Sequence, residues 1–458
     1  MNETTAELVE AYDEAFADDG HPRSHYAALL LELAAADLGA LREQVSRELA
    51  DVVFTGPGGD TAFEVDPVPR ILPAAEWERL AAGLEQRVRA LNAFILDAYG
   101  PRRCVADGVV PAHVLDEAEG AEGDLLGRHP GGVPVGIAGL DVVRDPEGEL
   151  LVLEDNLRTP SGFAYAAAAR RAVRGALPRL GEPVAFDGVW ELLRATLHGA
   201  TEAQDPLVVV LSDGPSNSAY WEHRRVAEHL GIPLVTLGDV AHRGDRLVLR
   251  DGSRPVDVVY RRSDQDLLRD EDGRPTAVGE ALRGPWLAGT LGVVNGFGNG
   301  IGDDKLVHAY VEELVRYFCG EEPLLRSVPT LDLGRPGALE QVLDDLRCWV
   351  VKPRLGYGGQ GVVVCSHADD AALRRVAADL REAPSGYVAQ RTVPLSRHPT
   401  VIDGKLEPRH VDLRPFIFST PGGVRALPGG LTRVAWDRGA LVVNSSQNGG
   451  AKDTWVCT

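Results

Sequence analysis

The first hundred residues carry two helix-like patterns separated by a Gly- and Pro-rich stretch. Over residues 1–50, leucines recur at the three-to-four-residue spacing of an amphipathic helix. Residues 51–75 predict a loop because they are rich in turn formers. The helical pattern returns over 76–99. We therefore expect an N-terminal helical segment, bounded at residues 1–75.

The pattern changes to strands near residue 133. Two β-rich runs, VGIAGLDVVRD and ELLVLEDN, flank a turn DPEG at 145–148, and an Ala- and Arg-rich helix follows at 163–176. Between 206 and 295, apolar runs such as PLVVVLSDG alternate with helical stretches such as SAYWEHRRVAEHLG. Such alternation is typical of a parallel α/β layer.

The C-terminal third begins with a predicted helix over 303–320, with Asp303 as its N-cap and Gly320 as its C-terminal stop. Apolar residues at helical spacing give this helix one buried face. Residues 348–458 read mostly as strand and turn. The predicted fold class is mixed α/β (α+β). The expected divisions are 1–75, 76–200, 201–302 and 303–458.

Composition narrows the possible partners. The chain has 458 residues, of which 47 are basic and 68 acidic, for a net charge of −21. A nucleic-acid binder normally carries a basic stripe, and none is visible, so we expect no nucleic-acid partner. No apolar run reaches the length of a membrane span, and the polar, acidic start is unlike a signal peptide. Five widely spaced cysteines without a CxxC pair fit a reducing cytoplasm.

Lysine is rare, which draws attention to the lysines that are present. Of 47 basic residues only Lys305, Lys352, Lys405 and Lys452 are lysines. A compact ammonium at a nucleotide phosphate is one task that arginine performs differently, although chance explains any single lysine equally well. Lys305 falls in the first turn of its predicted helix, where a bound anion would offset its unfavourable interaction with the helix dipole. Alternatively, the neighbouring aspartates screen the charge of Lys305 and no anion binds there, which explains a lysine at this position equally well.

The hairpin around the DPEG turn carries candidate metal ligands. If its loop is 145–148, Asp141 lies opposite Val152 and diagonal to Glu154, on the face that also holds Asn156. Two carboxylates and an amide oxygen are ligands suited to Mg²⁺. A strand that merely ends in a polar turn is the better explanation when this hairpin is considered alone.

The run WVVKPRLGYGGQGVVV at 349–364 contains a glycine loop between two strands. Gly356, Gly358 and Gly361 match G-x-G-x-x-G, but valines follow where a dinucleotide-binding fold needs a helix. A flap whose backbone N–H groups close over phosphates fits better, with Lys352 in the incoming strand able to reach them. The alternative is a glycine-rich hairpin with an exposed lysine. No Walker A sequence is present, which argues against a P-loop enzyme.

The strand PRHVDLRPF at 408–416 places alternate side chains on two faces. His410, Asp412 and Arg414 share one face, and Arg433 lies in the following run GGLTRVA. The two arginines can hold a γ-phosphate or a carboxylate by bidentate contacts, with Asp412 orienting them or binding metal. A surface ladder of ion pairs is the competing interpretation, and His410 alone is more often structural than catalytic.

Together these stretches resemble the circularly permuted ATP-grasp proteins that are related to glutathionylspermidine synthases. The resemblance covers residues 50–458 and depends on eight segments in the family's order. They are LDVVRDPEGELLVLEDNLRTPSGFAY, NSAYWEH, VVYRRSD, DDK, VVKPRLGYGGQG, PRHVDLRPF, GGLTRV and VVNSSQNGGAKDTWV. The carboxylates precede the lysines and the glycine loop, which is the reverse of the order in ordinary ATP-grasp ligases.

The resemblance implies a role for each matching residue. It implies an ATP-grasp fold with a parallel α/β domain like the pre-ATP-grasp domain, using ATP and Mg²⁺. Asp141, Glu154 and Asn156 would bind Mg²⁺, while Lys305, Lys352 and the flap Gly356, Tyr357, Gly358, Gly359, Gln360 and Gly361 would contact phosphates. Gln390, Arg391 and Val393 would form the adenine hinge; Arg414 and Arg433 would be catalytic; Arg158, Ser218, Tyr220, Glu222, Arg261 and Arg262 would face the substrate.

The implied activity is ligation of a carboxylate to an amine through an acyl phosphate. The substrates would be an amino acid or small peptide and a small-molecule amine, and a small helical partner protein is also implied. Two other functions stay open: an ATP-grasp phosphotransferase and a non-catalytic nucleotide-binding scaffold. Phosphotransferases of this kind commonly use a histidine, and neither His398 nor His410 has a context that demands it.

Overall fold

The computed structural model describes residues 11–56, 59–118, 120–252, 254–265, 267–270, 272–354, 361–440 and 449–457. Its α-helices are Ala27–Ala35 (α1), Leu38–Glu48 (α2), Ala74–Tyr99 (α3), Arg103–Ala106 (α4), Ala112–Asp116 (α5), Phe163–Ala176 (α6), Gly188–His198 (α7), Tyr220–Leu230 (α8), Ala277–Leu287 (α9), Gly300–Asp303 (α10), Lys305–His308 (α11), Val311–Cys319 (α12), Ala338–Asp344 (α13) and Asp370–Glu382 (α14). Short 3-10 helices are Ser24–Tyr26, Gly123–Leu125, Leu237–Asp239, Leu346–Cys348 and Pro384–Gly386.

The strands of the first half are Val53–Gly56 (β1), Gly59–Ala62 (β2), Val65–Pro73 (β3), Ile137–Gly139 (β4), Asp141–Arg144 (β5), Leu150–Glu154 (β6), Val208–Ser212 (β7), Leu234–Val235 (β8), Val240–Arg243 (β9), Arg246–Leu249 (β10), Val258–Arg262 (β11) and Gly292–Val294 (β12). Those of the second half are Arg326–Ser327 (β13), Thr330–Asp332 (β14), Trp349–Pro353 (β15), Val363–Val364 (β16), Tyr387–Arg391 (β17), Arg397–Ile402 (β18), Lys405–Arg414 (β19), Phe416–Thr420 (β20), Gly423–Ala426 (β21), Leu431–Ala435 (β22) and Gly449–Cys457 (β23).

Three sheets position the functional residues. The largest has eight strands in the order β13-β6-β5-β19-β22-β23-β3, with β18 paired to β19. A four-stranded sheet, β14-β17-β15-β16, lies over the end of β6, where the side chain of Gln390 donates to the carbonyl of Leu153 over 3.1 Å. The third sheet, β12-β11-β7-β8, is parallel throughout, which confirms the predicted parallel α/β layer.

The two faces of the eight-stranded sheet meet different surroundings. Val142 and Val152 point to the core that also contains Leu84 and Phe94 of the 26-residue helix α3. Their neighbours along the strands point the other way, since strand side chains alternate, and form a smaller apolar cluster around Leu395. The catalytic candidates lie on this second face.

The prediction of a loop over 51–75 was wrong, because most of this stretch is strand: β1 and β2 pair as an antiparallel hairpin in its first half. Residues 65–73 form β3, which is almost entirely buried and pairs in parallel with β23. The prolines that suggested a loop, Pro67 and Pro69, are tolerated because β3 is the edge strand and needs a hydrogen-bonding partner on one side only.

The predicted helix over 303–320 is broken into shorter pieces. Asp304, rather than Asp303, is the N-cap of α11, and its side chain accepts a hydrogen bond from the amide of Leu306. Asp303 instead accepts from the backbone amide of Leu157. Gly320 does end α12 in a left-handed conformation with φ of 66°. Helix α14 was also missed, within a region predicted to be mostly strand.

Candidate active site

Residues from distant parts of the chain line one crevice between the eight-stranded and four-stranded sheets. The end of β6 supplies Glu154, the start of α11 supplies Lys305, and the four-stranded sheet supplies Lys352 and Gln390. The crevice is closed down to a free volume of about 10 Å³, enough for a single water. Glu154 of the early hairpin and Lys352 of β15 therefore line the same crevice, although they are 198 residues apart in the chain.

The hairpin register differs from the predicted one. Asp141 pairs with Glu154, rather than with Val152, because a bulge lies between Asp141 and Val142. The turn is one residue longer than expected, and the amide of Asp145 donates to the carbonyl of Glu149 over 3.0 Å. The longer turn and the bulge each shift the pairing by one residue in the same direction, and together they make the two carboxylate residues direct cross-strand neighbours.

Asp141 is held by two arginines. Arg414 donates from Nε and Nη2 to its two carboxylate oxygens at 2.7 and 2.8 Å, and Arg433 lies 2.9 Å from it. Burial alone would raise the pKa of Asp141, but the two guanidinium groups outweigh it and hold that pKa below its usual range. Arg433 also binds Asp412, so these side chains form a buried network and not the surface ladder considered above.

Lys352 occupies an unusually dry position for an ammonium group. It is 9% exposed, and Nζ donates to Oε1 of Gln390 over 2.6 Å. Burial lowers the pKa of Lys352, and the carboxylate of Glu154 opposes that shift. Lys305 approaches the same carboxylate, with Nζ 3.4 Å from Oε1 of Glu154. Two lysines and one carboxylate thus line the same crevice.

The predicted hinge residues separate into different locations. Gln390 lies in the crevice, whereas Val393 lines a neighbouring cavity of about 520 Å³ that shares His308 and Thr330 with the crevice. Arg391 is exposed and lines neither, and its guanidinium lies over the ring of Trp349. A cavity of this volume is within the usual range for small-ligand sites.

Most of the predicted flap lies outside the described residues. This applies to Gly356, Tyr357, Gly358, Gly359 and Gln360. Gly361 is described: its φ is +71°, and a Cβ atom there would lie 2.7 Å from Cγ of Pro353. Both features require glycine at this position.

The predicted substrate-facing residues contact protein groups instead of the crevice. Glu222 accepts from the amides of Gly162 and Ala164 at the start of α6, and Arg262 donates to the carbonyl of Pro160. These bonds fix the loop that follows the hairpin. The remaining residues of the set are distributed as follows: Arg261 is buried over the ring of Phe297, Arg158 pairs with Asp303, Ser218 is exposed, and Tyr220 is half-buried.

The match to a family model decides the classification. Residues 69–435 match the model described as circularly permuted ATP-grasp type 2. The chain belongs to this ATP-grasp family. The family assignment and the mixed α/β architecture confirm the fold class predicted from the sequence.

Relatives of this ATP-grasp chain occur in several bacteria. It is 43% identical to a Frankia casuarinae protein provisionally named glutamate–cysteine ligase 2-2, over 97% of this chain and 53% of that one. An uncharacterised Synechocystis protein is 39% identical over 97% of this chain and 96% of its own length. The chain spans about half the length of the Frankia relatives it matches, so the activity in their names refers to longer proteins.

A solved structure shares the fold. A glutathione synthetase-like effector from Globodera pallida, in its apo form, matches with a TM-score of 0.60 over 92% of this chain and 98% of that chain. At 11% sequence identity this likeness extends to the fold alone. Among the described helices of the ATP-grasp chain, none is long and apolar enough to cross a membrane.

The ATP-grasp site has a donor set that fits Mg²⁺. Asp141 and Glu154 are cross-strand neighbours among the described residues, and Asn156 lies two residues beyond Glu154, so two carboxylates and an amide oxygen are available along one hairpin. Across those same residues no three carboxylate, histidine or cysteine side chains converge on one point. Mg²⁺ is typically held by one or two carboxylates together with nucleotide phosphates, which matches such a sparse set.

A buried network beside the site was not anticipated from the sequence. Asp155 accepts two hydrogen bonds from Arg87 of α3, at 2.6 and 2.7 Å, and lies 2.8 Å from Nδ1 of His308. The sequence offered only weak indications of this network. Asp155 directly follows Glu154 at the end of an apolar strand, and His308 lies one helical turn after Lys305. No sequence pattern pointed to Arg87, because its partner Asp155 is 68 residues away in the chain.

Proposed function

We propose that this chain is a Mg-ATP-dependent ligase that joins a carboxylate to an amine through an acyl phosphate. The principal support is that Lys305, Lys352 and Glu154 line one crevice, beside the Asp141–Arg414 pair. Cations that can neutralise phosphate and oxygen donors that can hold Mg²⁺ are the two requirements of phosphoryl-transfer chemistry. Membership of the ATP-grasp family agrees with this reading.

The lysines have the appropriate chemistry for phosphate binding. The ammonium group of Lys305 pairs with Glu154 at 3.4 Å, and Lys352 is nearly inaccessible to water. A phosphate oxygen entering the crevice would meet a poorly hydrated cation, for which electrostatic attraction is strong. Bound Mg²⁺, held by Asp141, Glu154 and Asn156, would supply additional positive charge to the transferring phosphoryl group.

Arg414 and Arg433 are suited to stabilise the transferring group. In the proposed reaction a carboxylate oxygen attacks the γ-phosphorus of ATP, and ADP leaves. The arginines offset the negative charge that spreads over the equatorial oxygens. The amine nitrogen then attacks the acyl carbon, phosphate leaves with the bonding electron pair, and the amine releases a proton to solvent. Arg414 must first turn from Asp141 towards the phosphate.

Nucleotide entry requires the two sheets to separate. A crevice of about 10 Å³ does not admit a triphosphate, whereas the adjoining 520 Å³ cavity has room for a nucleoside. Residues 392–395 connect the four-stranded sheet to β18, and we propose that this connection bends when the two sheets separate. Closure of the sheets over the substrates would exclude water and protect the acyl phosphate from hydrolysis.

The acid and amine substrates are proposed as classes. An amino acid or small peptide supplies the carboxylate, and glutamate with cysteine is the first pair to assay because of the names of the Frankia relatives. We place the reaction in the reducing cytoplasm, given five free cysteines. The small helical partner protein stays a prediction.

Product analysis tests this function. The chain would be incubated with Mg-ATP and a cell metabolite extract, and amide products identified by mass spectrometry. At limiting ATP, Lys352→Ala should strongly reduce the product, whereas the matched variant Lys405→Ala, at the exposed first residue of β19, should not. Hydroxylamine added in place of the amine should yield a hydroxamate, because it traps an acyl phosphate.

Each alternative function gives its own result in this assay. A phosphotransferase would consume ATP and phosphorylate an acceptor or a histidine without forming a hydroxamate. A scaffold would bind Mg-ATP without releasing ADP in any mixture. An unchanged amount of product in the Lys352→Ala protein at limiting ATP would contradict the proposed site.

A further inference from the structure

His308 occupies the boundary between the crevice and the larger cavity. It is the last residue of α11, is 5% exposed, and lines both spaces. Its Nδ1 lies 2.8 Å from Oδ2 of Asp155 and 3.1 Å from Nη2 of Arg87. The ring is therefore fixed from one side by an aspartate that is itself fixed by an arginine.

These contacts determine which ring nitrogen carries the proton. Arg87 donates to both carboxylate oxygens of Asp155, at 2.6 and 2.7 Å, and this bidentate ion pair makes the carboxylate an acceptor. An ionised carboxylate can only accept, so the 2.8 Å hydrogen bond between His308 and Asp155 requires a proton on Nδ1. Arg87 can only donate, so its 3.1 Å approach to the same nitrogen is then a contact and not a hydrogen bond. Burial lowers the pKa of His308, which keeps the ring neutral and leaves Nε2 with a lone pair.

The lone pair of Nε2 is not satisfied by the protein. The atom is buried and has no hydrogen-bond partner among the described residues. A buried acceptor without a donor is costly, and in a native protein such an atom commonly meets a water or a ligand. Because His308 lines both spaces, this acceptor belongs to the junction between the proposed phosphate and nucleoside regions.

We propose that Nε2 of His308 accepts a hydrogen bond from the nucleoside of the bound nucleotide, from either a ribose hydroxyl or the exocyclic amine of adenine. Phosphate oxygens are excluded as partners, since they carry no proton to donate at neutral pH. The inference rests on the proposed ATP site and adds a residue that reads the nucleoside there. His308 is thus a specificity determinant, with Asp155 and Arg87 as the positioning residues that fix its tautomer.

Two substitutions separate the two nitrogens of the ring. In His308→Asn the side-chain amide nitrogen takes the position of Nδ1, keeps the bond to Asp155 and removes Nε2. In His308→Gln the longer side chain reaches the position of Nε2 and offers an amide oxygen as acceptor. His113→Asn is the matched control: His113 also pairs with an aspartate, Asp332, but lines neither space.

Calorimetric titration of the full chain supplies the readout, with thermal melting as the check on folding. The ligands are the Mg²⁺ complexes of ATP, 2′-deoxy-ATP, 3′-deoxy-ATP and the triphosphate of purine riboside, which lacks the exocyclic amine. The wild-type chain should bind one of the three analogues roughly tenfold more weakly than ATP, the effect of one lost hydrogen bond. That analogue identifies the donor group.

The variants then test the assignment. His308→Asn should bind ATP roughly tenfold more weakly than wild type and no longer distinguish that analogue from ATP. His308→Gln should restore the discrimination, and His113→Asn should behave as wild type.

A folded His308→Asn protein with wild-type affinities for all four ligands overturns the inference and assigns Nε2 to a structural water. If His308→Asn does not melt cooperatively, His308→Gln decides the question. A folded His308→Gln protein that no longer discriminates between ATP and that analogue also overturns the inference. Failure of the wild-type chain to bind Mg-ATP at all removes the proposed function itself, and this inference with it.

Discussion

The carboxylate of Asp141 and the guanidinium of Arg414 form a two-bond ion pair between β5 and β19, at 2.7 and 2.8 Å. Each residue is proposed to act on ATP, yet in this structure each neutralises the other. Binding of Mg-ATP would exchange this pair for a carboxylate–metal and an arginine–phosphate contact. The resting site therefore avoids an unpaired buried charge, which would be expensive.

Arg414→Ala should lower the rate of acyl phosphate formation far more than the affinity for ATP. The guanidinium is needed most as charge develops on the transferring group, and loss of one such donor typically costs about 100-fold or more in kcat. Single-turnover ADP release and nucleotide titration measure the two quantities separately. Arg425→Ala, at an exposed arginine on β21, is the control. An unchanged kcat in Arg414→Ala would remove this arginine from the catalytic group.

Lys352→Ala should weaken Mg-ATP binding by about tenfold to 150-fold, the range for hydrogen bonds to charged groups. The ammonium group lies in the crevice, where Nζ donates to Oε1 of Gln390 over 2.6 Å, and a water that fills the space left by the side chain carries no charge to attract a phosphate. Calorimetric titration of the variant, beside Lys405→Ala, provides the measurement. Equal affinities in the two variants would show that the crevice is not the phosphate site.

Glu154→Gln should raise the Mg²⁺ concentration needed for half-maximal activity, because an amide oxygen lacks the charge that favours a divalent cation. The change also leaves Lys305 without its carboxylate partner at 3.4 Å. Activity measured over a range of free Mg²⁺ at saturating ATP tests this expectation. Glu149→Gln, at the exposed turn of the same hairpin, should leave the Mg²⁺ requirement unaltered.

Glu14 links the N-terminal segment to the hairpin that carries Asp141. Its carboxylate accepts from Arg144 at 3.1 Å, from Ser396 at 2.6 Å, and from Arg70. Burial opposes the ionisation of Glu14, but Arg144 and Arg70 outweigh it and lower its pKa. A folded-state pKa below the unfolded value gives stability that is present at neutral pH and lost as the pH falls.

Glu14→Gln should therefore reduce the free energy of unfolding at pH 7 by about 3–5 kcal/mol, the usual cost of breaking a buried ion pair. The difference from wild type should shrink as the pH falls below about 4.5, where the unfolded chain binds a proton at this carboxylate. Urea denaturation at a series of pH values measures it, with Glu43→Gln on the exposed side of α2 as control. A difference that is constant with pH would contradict the linkage.

Local patterns in the sequence determined the elements and the family. Helix α6 was predicted at 163–176 and is found at those residues, and β15 and β16 flank the glycine loop as expected. Spacing of three to four or of two residues is set by helix and strand geometry, so each short segment carries its own evidence. Segment order then indicated the permuted ATP-grasp family, which the family model confirmed.

The tertiary structure alone decided which charges meet. Three features join residues that are far apart in the chain: the bulge beside Asp141, the ion pair between Arg414 and that carboxylate, and the Arg87–Asp155–His308 network. No local pattern encodes such pairings, because they arise when sheets and helices pack and each buried charge must find a partner. The sequence predicted candidate charged residues for the site; packing selected the contacts that hold them.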